Sequence, residues 1–119
     1  MNSETEELRQ RTKSLALRIV RLYRSLPTTK DAQVIGTQLL RSGTSVGANY
    51  RAVCRARSRP DFISKLGVVL EEADETVFWL ELITESGIMP EQKTGELLGE
   101  ARELTAIFTA SQRTAKGNA

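Results

Sequence analysis

Apolar residues along this chain recur at alternating spacings of four and three, and each such run is bounded by proline, glycine or small hydroxyl residues. Leu8, Thr12, Leu15, Ile19, Leu22 and Leu26 form the first run, which predicts a helix over roughly residues 4–26. Ser3 with Glu6 reads as a capping box at its start, and Pro27 stops it because proline cannot continue the hydrogen-bond ladder. Ile35, Leu39, Ser42, Val46, Asn49 and Val53 define a second helix, from a cap at Thr28 or Thr29 to about Arg57. The third pattern is the cleanest: Phe62, Leu66, Val69, Ala73, Thr76, Leu80 and Ile83 stay in register between the opening Ser58-Arg59-Pro60-Asp61 and the closing Gly87. A fourth helix opens at Pro90, carries Leu97, Ala101, Leu104 and Phe108, and frays after about Gln112. Residues 113–119 are expected to form a disordered tail.

Connections of a few residues force each helix back along its predecessor. The expected fold is therefore all-α, an antiparallel up-down-up-down four-helix bundle, with residues 1–119 as one domain. No segment alternates apolar and polar residues at period two, and no motif recurs, so strands and internal repeats are not expected.

Composition narrows the chemistry. The chain has no histidine and a single cysteine, Cys54, so neither an intrachain disulfide nor a common zinc site can be assembled from one protomer. The charged N-terminus lacks the apolar core of a signal peptide, and no run of eighteen apolar residues occurs. The reading is a cytoplasmic protein that does not span a membrane and needs no cofactor or metal.

Charge is segregated along the chain. Residues 1–65 hold thirteen Lys/Arg against five Asp/Glu, a balance of +8, and residues 66–119 hold four against ten, a balance of −6. A two-sided molecule of this kind can offer its basic side to phosphates or dock it on the acidic side of a neighbour. Arg51, Arg55 and Arg59 are spaced by four, with Arg41 and Arg57 nearby, which makes them the candidate nucleic-acid contacts; a merely solvated charged face is the competing reading. The acidic cluster Glu71, Glu72, Asp74 and Glu75 points to different sides of its helix, which suits ion pairing better than catalysis. With no convergent nucleophile and base, an enzyme is not expected.

Two features concern assembly. Arg41 to Tyr50 contains Gly43 and Gly47 among small hydroxyl residues, a composition that allows another helix to approach closely, either within the bundle or across a subunit seam. Asn49 falls on the apolar stripe, where a partnered amide fixes register, with Ser42 and Ser45 as its expected partners. Phe78-Trp79-Leu80 with Val77 and Leu82 makes the third helix apolar over more than one stripe, which predicts a second buried face at a subunit contact.

Taken in order, Gln38-Leu39-Leu40-Arg41-Ser42, Ser45-Val46-Gly47-Ala48-Asn49-Tyr50-Arg51, Arg55-Ala56-Arg57-Ser58, Asp61-Phe62, Glu72-Ala73-Asp74-Glu75-Thr76 and Trp79-Leu80-Glu81-Leu82 resemble the bacterial four-helix-bundle proteins first met as reading frames inside ribosomal-RNA intervening sequences. The resemblance covers about residues 15–85 and departs from the pattern at Ala52, where relatives usually carry Glu, and at Glu71, where a basic residue is common. It implies a ring-shaped homopentamer; the residue pattern itself makes Ser42, Ser45, Asn49 and Trp79 the expected structural or oligomer positions. Its relatives include the accessory variability protein of diversity-generating retroelements, which associates with reverse transcriptase and nucleic acid. The functional expectation is a non-enzymatic ring that associates with RNA or DNA, the alternative being a homo-oligomeric scaffold for a protein partner.

Overall fold

The computed structural model describes residues 2–117 and contains four helices, α1 (Ser3–Ser25), α2 (Lys30–Val53), α3 (Arg59–Glu85) and α4 (Glu91–Ala115). Each packs on the next, and α1 meets α4 to complete the circuit of an antiparallel four-helix bundle measuring 46 × 24 × 21 Å. None of the described helices is long and apolar enough to cross a membrane.

The helix ends follow local chemistry, with some departures from the sequence reading. The cap of α1 is Asn2, whose Oδ1 accepts from the Thr5 N–H at 2.7 Å, so Ser3 is the first helical residue rather than the cap. At α3, Ser58 is the cap, its hydroxyl accepting from the Asp61 N–H, and Pro60 sits in the first turn. Gly87 ends α3 at φ +83, a backbone conformation that glycine adopts without steric cost. Helix α4 continues to Ala115, three residues past the expected fraying point; the last two residues of the expected tail lie outside the described residues.

The end of α2 is the consequential correction. Regular helix stops at Val53, not near Arg57, because the ladder tightens into i→i+3 bonds, Arg55 N–H to Ala52 O and Ala56 N–H to Val53 O. Arg55 and Arg57 therefore lie in the turn, and Arg59 opens the next helix.

The core is one continuous cluster drawn from all four helices, including Leu15 and Ile19, Leu39 and Val46, Leu66 and Leu80, and Leu104 and Phe108. Each such side chain, fully buried, contributes about 1.5–3 kcal/mol of transfer free energy. Tyr50 packs its ring on Phe108 at a centroid distance of 5.6 Å, and burial pushes its hydroxyl up to about 12.

Helix α2 meets α1 through glycine. A Cβ on Gly36 would stand 2.5 Å from Leu26 Cδ1, one on Gly43 would overlap Ile19 Cδ1, and one on Gly47 would stand 3.2 Å from the backbone oxygen of Thr12. The small-residue segment is thus the seam of a helix pair within the bundle. On the other side of α2, buried Ser42 places its hydroxyl 3.1 Å from that of buried Thr76 on α3, which also reaches the Glu72 carbonyl at 2.7 Å. This pair, not Asn49, is the polar contact inside the α2–α3 interface. Asn49 is half-buried and donates its amide to the Ser45 carbonyl of its own helix at 2.8 Å, which satisfies it locally without specifying register. Among the described residues no buried side-chain nitrogen or oxygen lacks a partner.

The seam makes a contrast between two glycines testable. Gly99 lies exposed within α4 with nothing within 4 Å of an added Cβ, so Gly99→Ala should raise stability by about 1 kcal/mol through helix propensity. Gly47→Leu should instead cost about 1–3 kcal/mol, since the backbone of α1 must yield. Urea denaturation followed by circular dichroism measures both; equal effects at the two positions would show that α1 and α2 are not in close contact.

Candidate nucleic-acid interface

Glycine at position 47 brings α1 and α2 close enough to leave only a shallow trough between their outer surfaces. Its floor is made by small residues, Thr12, Ala16, Thr44, Gly47 and Ala48, and its walls by Arg9 and Lys13 of α1 and Arg51 and Arg55 at the end of α2. The hollow has a volume of about 480 Å³. Arg9 and Lys13 are one turn of helix apart on α1, and Arg51, in the last turn of α2, is followed by Arg55 in the turn beyond it, so cations stand on both sides of the trough. Lys13, Arg51 and Arg55 are exposed, and no carboxylate lies within ion-pair distance of them among the described residues. Arg9 keeps a loose contact with Glu6 at 3.7 Å.

The other seams treat their arginines differently. Arg11 forks onto Glu100 of α4 at 3.0 and 2.8 Å and also reaches Glu103 at 2.7 Å, contacts that raise its already high pKa. Arg102 of α4 pairs with Glu81 of α3 at 2.8 Å. Arg41 of α2 contacts both Glu72 and Glu75 of α3. Arg11, Arg102 and Arg41 are thus paired across the α1–α4, α3–α4 and α2–α3 seams, whereas Lys13, Arg51 and Arg55 at the α1–α2 trough, like Arg18, Arg21 and Lys93 in a second hollow between α1 and α4, have no such ion pair among the described residues.

The five arginines singled out from the sequence are therefore dispersed. Arg51 and Arg55 stay together at the trough. Arg41 is taken by the acidic residues of α3. Arg57 sits in the α2–α3 turn, where its backbone N–H donates to Asp61 Oδ2 at 3.1 Å, and Arg59 Nε donates to the Ala115 carbonyl at the far end of α4. The expected stripe through Arg51, Arg55 and Arg59 fails because α2 ends before it can be completed. Sequence reasoning passed over Arg9 and Lys13; their four-residue spacing was visible, but nothing in the sequence placed them across from Arg51.

The positions assigned to structure or assembly gather along α2 and α3. Ser42 is buried against Thr76, the Ser45 hydroxyl donates to the Arg41 carbonyl, and half-buried Trp79 donates its indole N–H to Glu75 Oε2 at 3.0 Å. Glu75 thereby joins Trp79 to Arg41. Donation from Trp79, and secondly from Arg41, holds the Glu75 carboxyl below the ordinary glutamate value. A carboxylate whose folded pKa is depressed stabilises the fold above its unfolded value, and that contribution is lost as pH falls through the folded one. Trp79, the single tryptophan, should therefore change its emission as pH drops below the ordinary glutamate range, and Glu75→Gln should remove that transition. An unchanged titration in the variant would assign the signal to another group.

The geometry can be set beside known proteins. The chain matches the family model of the 23S rRNA-intervening sequence protein over residues 4–110. It is similar to the crystal structure of a protein of unknown function from the S23 ribosomal protein family of Bacteroides thetaiotaomicron, with 34% identity and a TM-score of 0.83 across 92% of this chain and 97% of that one. No curated protein matches it. The motif residues that carry the sequence resemblance lie within the matched span, Gln38 to Arg51 on α2 and Glu72 to Leu82 on α3, and the protein belongs to the 23S rRNA-intervening sequence protein family.

Proposed function

We propose that this protein is a non-enzymatic, cytoplasmic, ring-forming accessory factor that holds RNA or DNA by its phosphates through the α1–α2 trough. The observation that carries this reading is the convergence of Lys13, Arg51 and Arg55 from two elements on one trough without a carboxylate within ion-pair distance among the described residues. Cations so placed can neutralise phosphates and displace the counterions condensed on a nucleic acid, which gives affinity without sequence readout.

Assembly has its own support. On α3, Val68, Glu71, Glu75, Phe78 and Leu82 recur at spacings of three and four on the side away from the core. Phe78 is 52% exposed and Val68 42%, which is costly on a helix that has no further partner inside the bundle. A second copy, covering this acidic and apolar stripe with a surface other than the trough, is the occupant we favour, and the family resemblance makes a homopentamer the expected closed form. The second reading, a scaffold for a protein partner such as a reverse transcriptase, rests on this same stripe.

Two measurements test these readings. Three phosphate contacts per protomer imply a double-logarithmic salt slope of about −2.7 on duplex DNA, so affinity should fall about 40-fold between about 50 and 200 mM salt. For Arg51→Ala/Arg55→Ala the remaining contact gives only about a three- to fourfold fall over the same range. Retention of nucleic acid that is absent in wild type at the lower salt, or equal in the double variant, defeats the phosphate site. Light scattering should give a mass several times the 13.2 kDa chain, and Phe78→Asp should return it to the monomer while preserving helicity. A wild type that is monomeric at micromolar concentration removes both the ring and the scaffold.

A further inference from the structure

The trough also carries information about what kind of nucleic acid it accepts. We infer that it grips the phosphate backbone of a double helix, RNA or DNA alike, in preference to a single strand; the inference rests on the nucleic-acid reading above and sharpens it.

Proteins that hold single strands combine a basic groove with aromatic side chains on which the unpaired bases stack. Here the aromatic residues are committed elsewhere. Tyr50 and Phe108 are buried against each other in the core. Half-buried Tyr23 lies beneath the α1–α2 seam, within 3.3 Å of where a Cβ on Gly36 would be. Phe62 packs against the core from the start of α3. Phe78 and Trp79 meet edge to face at 4.9 Å on α3, on a helix whose neighbouring positions are Glu71, Asp74 and Glu75, and Glu75 holds the indole. A strand whose phosphates lay on Lys13, Arg51 and Arg55 would find no ring there to receive its bases, and the rings on α3 are set among carboxylates that repel phosphate.

The shape of the trough agrees. Its floor is Thr, Ala and Gly, so it is shallow, with cations standing on both sides rather than a cleft closing over a base. Those cations stand on both sides of the trough, Lys13 on α1 and Arg51 and Arg55 at the end of α2 and in the turn after it. Long, exposed cations set on two sides can follow the phosphates of a double helix, whose bases are already stacked and need nothing from the protein. A flexible single strand would lose conformational entropy on those cations without gaining stacking. Contacts confined to phosphate also leave sequence unread and give no grip on the 2′-hydroxyl that separates RNA from DNA.

Fluorescence anisotropy at about 50 mM salt with the full-length protein tests this, using labelled duplex DNA, duplex RNA and an unstructured oligothymidylate of equal length. Both duplexes should bind at least about tenfold more tightly than the single strand, and Arg51→Ala/Arg55→Ala should abolish the difference. Oligothymidylate binding as tightly as duplex, and sensitive to the double substitution, would overturn the duplex inference while leaving the phosphate site standing. A tenfold separation between duplex RNA and duplex DNA would overturn contact by backbone alone. Absence of binding to all three probes would overturn the inference together with the function on which it rests.

Discussion

The close approach of α1 and α2 is the constraint from which the rest of the molecule follows. Gly36, Gly43 and Gly47 let the two helices meet with the Tyr23, Ile19 and Thr12 levels of α1 directly over the glycine backbone. Three glycines inside a helix oppose its formation by about 3 kcal/mol relative to alanine, a large share of the stability of a small domain. Packing along the seam must offset that, and it does so with residues such as Ile19 and Leu39 that are fully buried. The same closeness makes the outer surface between the helices a shallow trough, with Arg9 and Lys13 held at a fixed distance from Arg51 and Arg55. A bulky residue at position 47 would lift α1 away and spread those rows, so the packing and the charge pattern are one design.

Ion pairing does not explain where the cations lie. The pairs of Arg11, Arg41 and Arg102 are partly or largely exposed, and pairs of that kind contribute little to stability. Their effect is spatial. Arg11, Arg41 and Arg102 each meet a glutamate of α3 or α4, while Lys13 and Arg51, on the two helices that share the basic half of the sequence, meet none among the described residues. The unneutralised surface is thus a consequence of chain order: two basic helices made adjacent by a short loop, in a bundle where the acidic helices occupy the other side.

What could be read from the sequence depended on whether the signal was local. Both ends of α3 were legible because Ser58, Pro60 and Gly87 act on their own neighbourhood. The end of α2 was not, since Cys54, Arg55 and Ala56 are acceptable helix residues and the ladder simply tightens there. The stripe of α2 was read correctly at Leu39, Ser42, Val46 and Val53, which are buried, but its width was not: Ala32, Gly36, Gly43 and Tyr50 are buried as well, and Ile35 and Asn49 are only half-buried. Glycines carry no hydrophobic signal, so a face made of them is invisible to periodicity. Asn49 was accordingly assigned to the core, and the buried Ser42–Thr76 contact, split across 34 residues, was not anticipated. Of the candidate site, Arg51 and Arg55 were found and Arg9 and Lys13 missed, because the pairing of two helix faces is a tertiary fact.

The motif that identifies the family and the surface proposed to bind nucleic acid overlap only in part, and the division has a physical meaning. Gly47 and Tyr50 serve packing, Ser42 and Thr76 join α2 to α3, and Arg41, Glu75 and Trp79 tie the outer edge of the same pair. Nearly every motif position thus has a contact inside the bundle, which accounts for its place in the pattern without any ligand. Arg51 and Arg55 are the motif residues that contact nothing acidic, and Lys13 lies before the motif begins. A relative could keep the whole packing pattern and lose the basic trough through changes in α1 alone. Membership of the family therefore specifies the bundle, while the proposed phosphate contact depends on the charge that α1 of this chain sets opposite the end of α2.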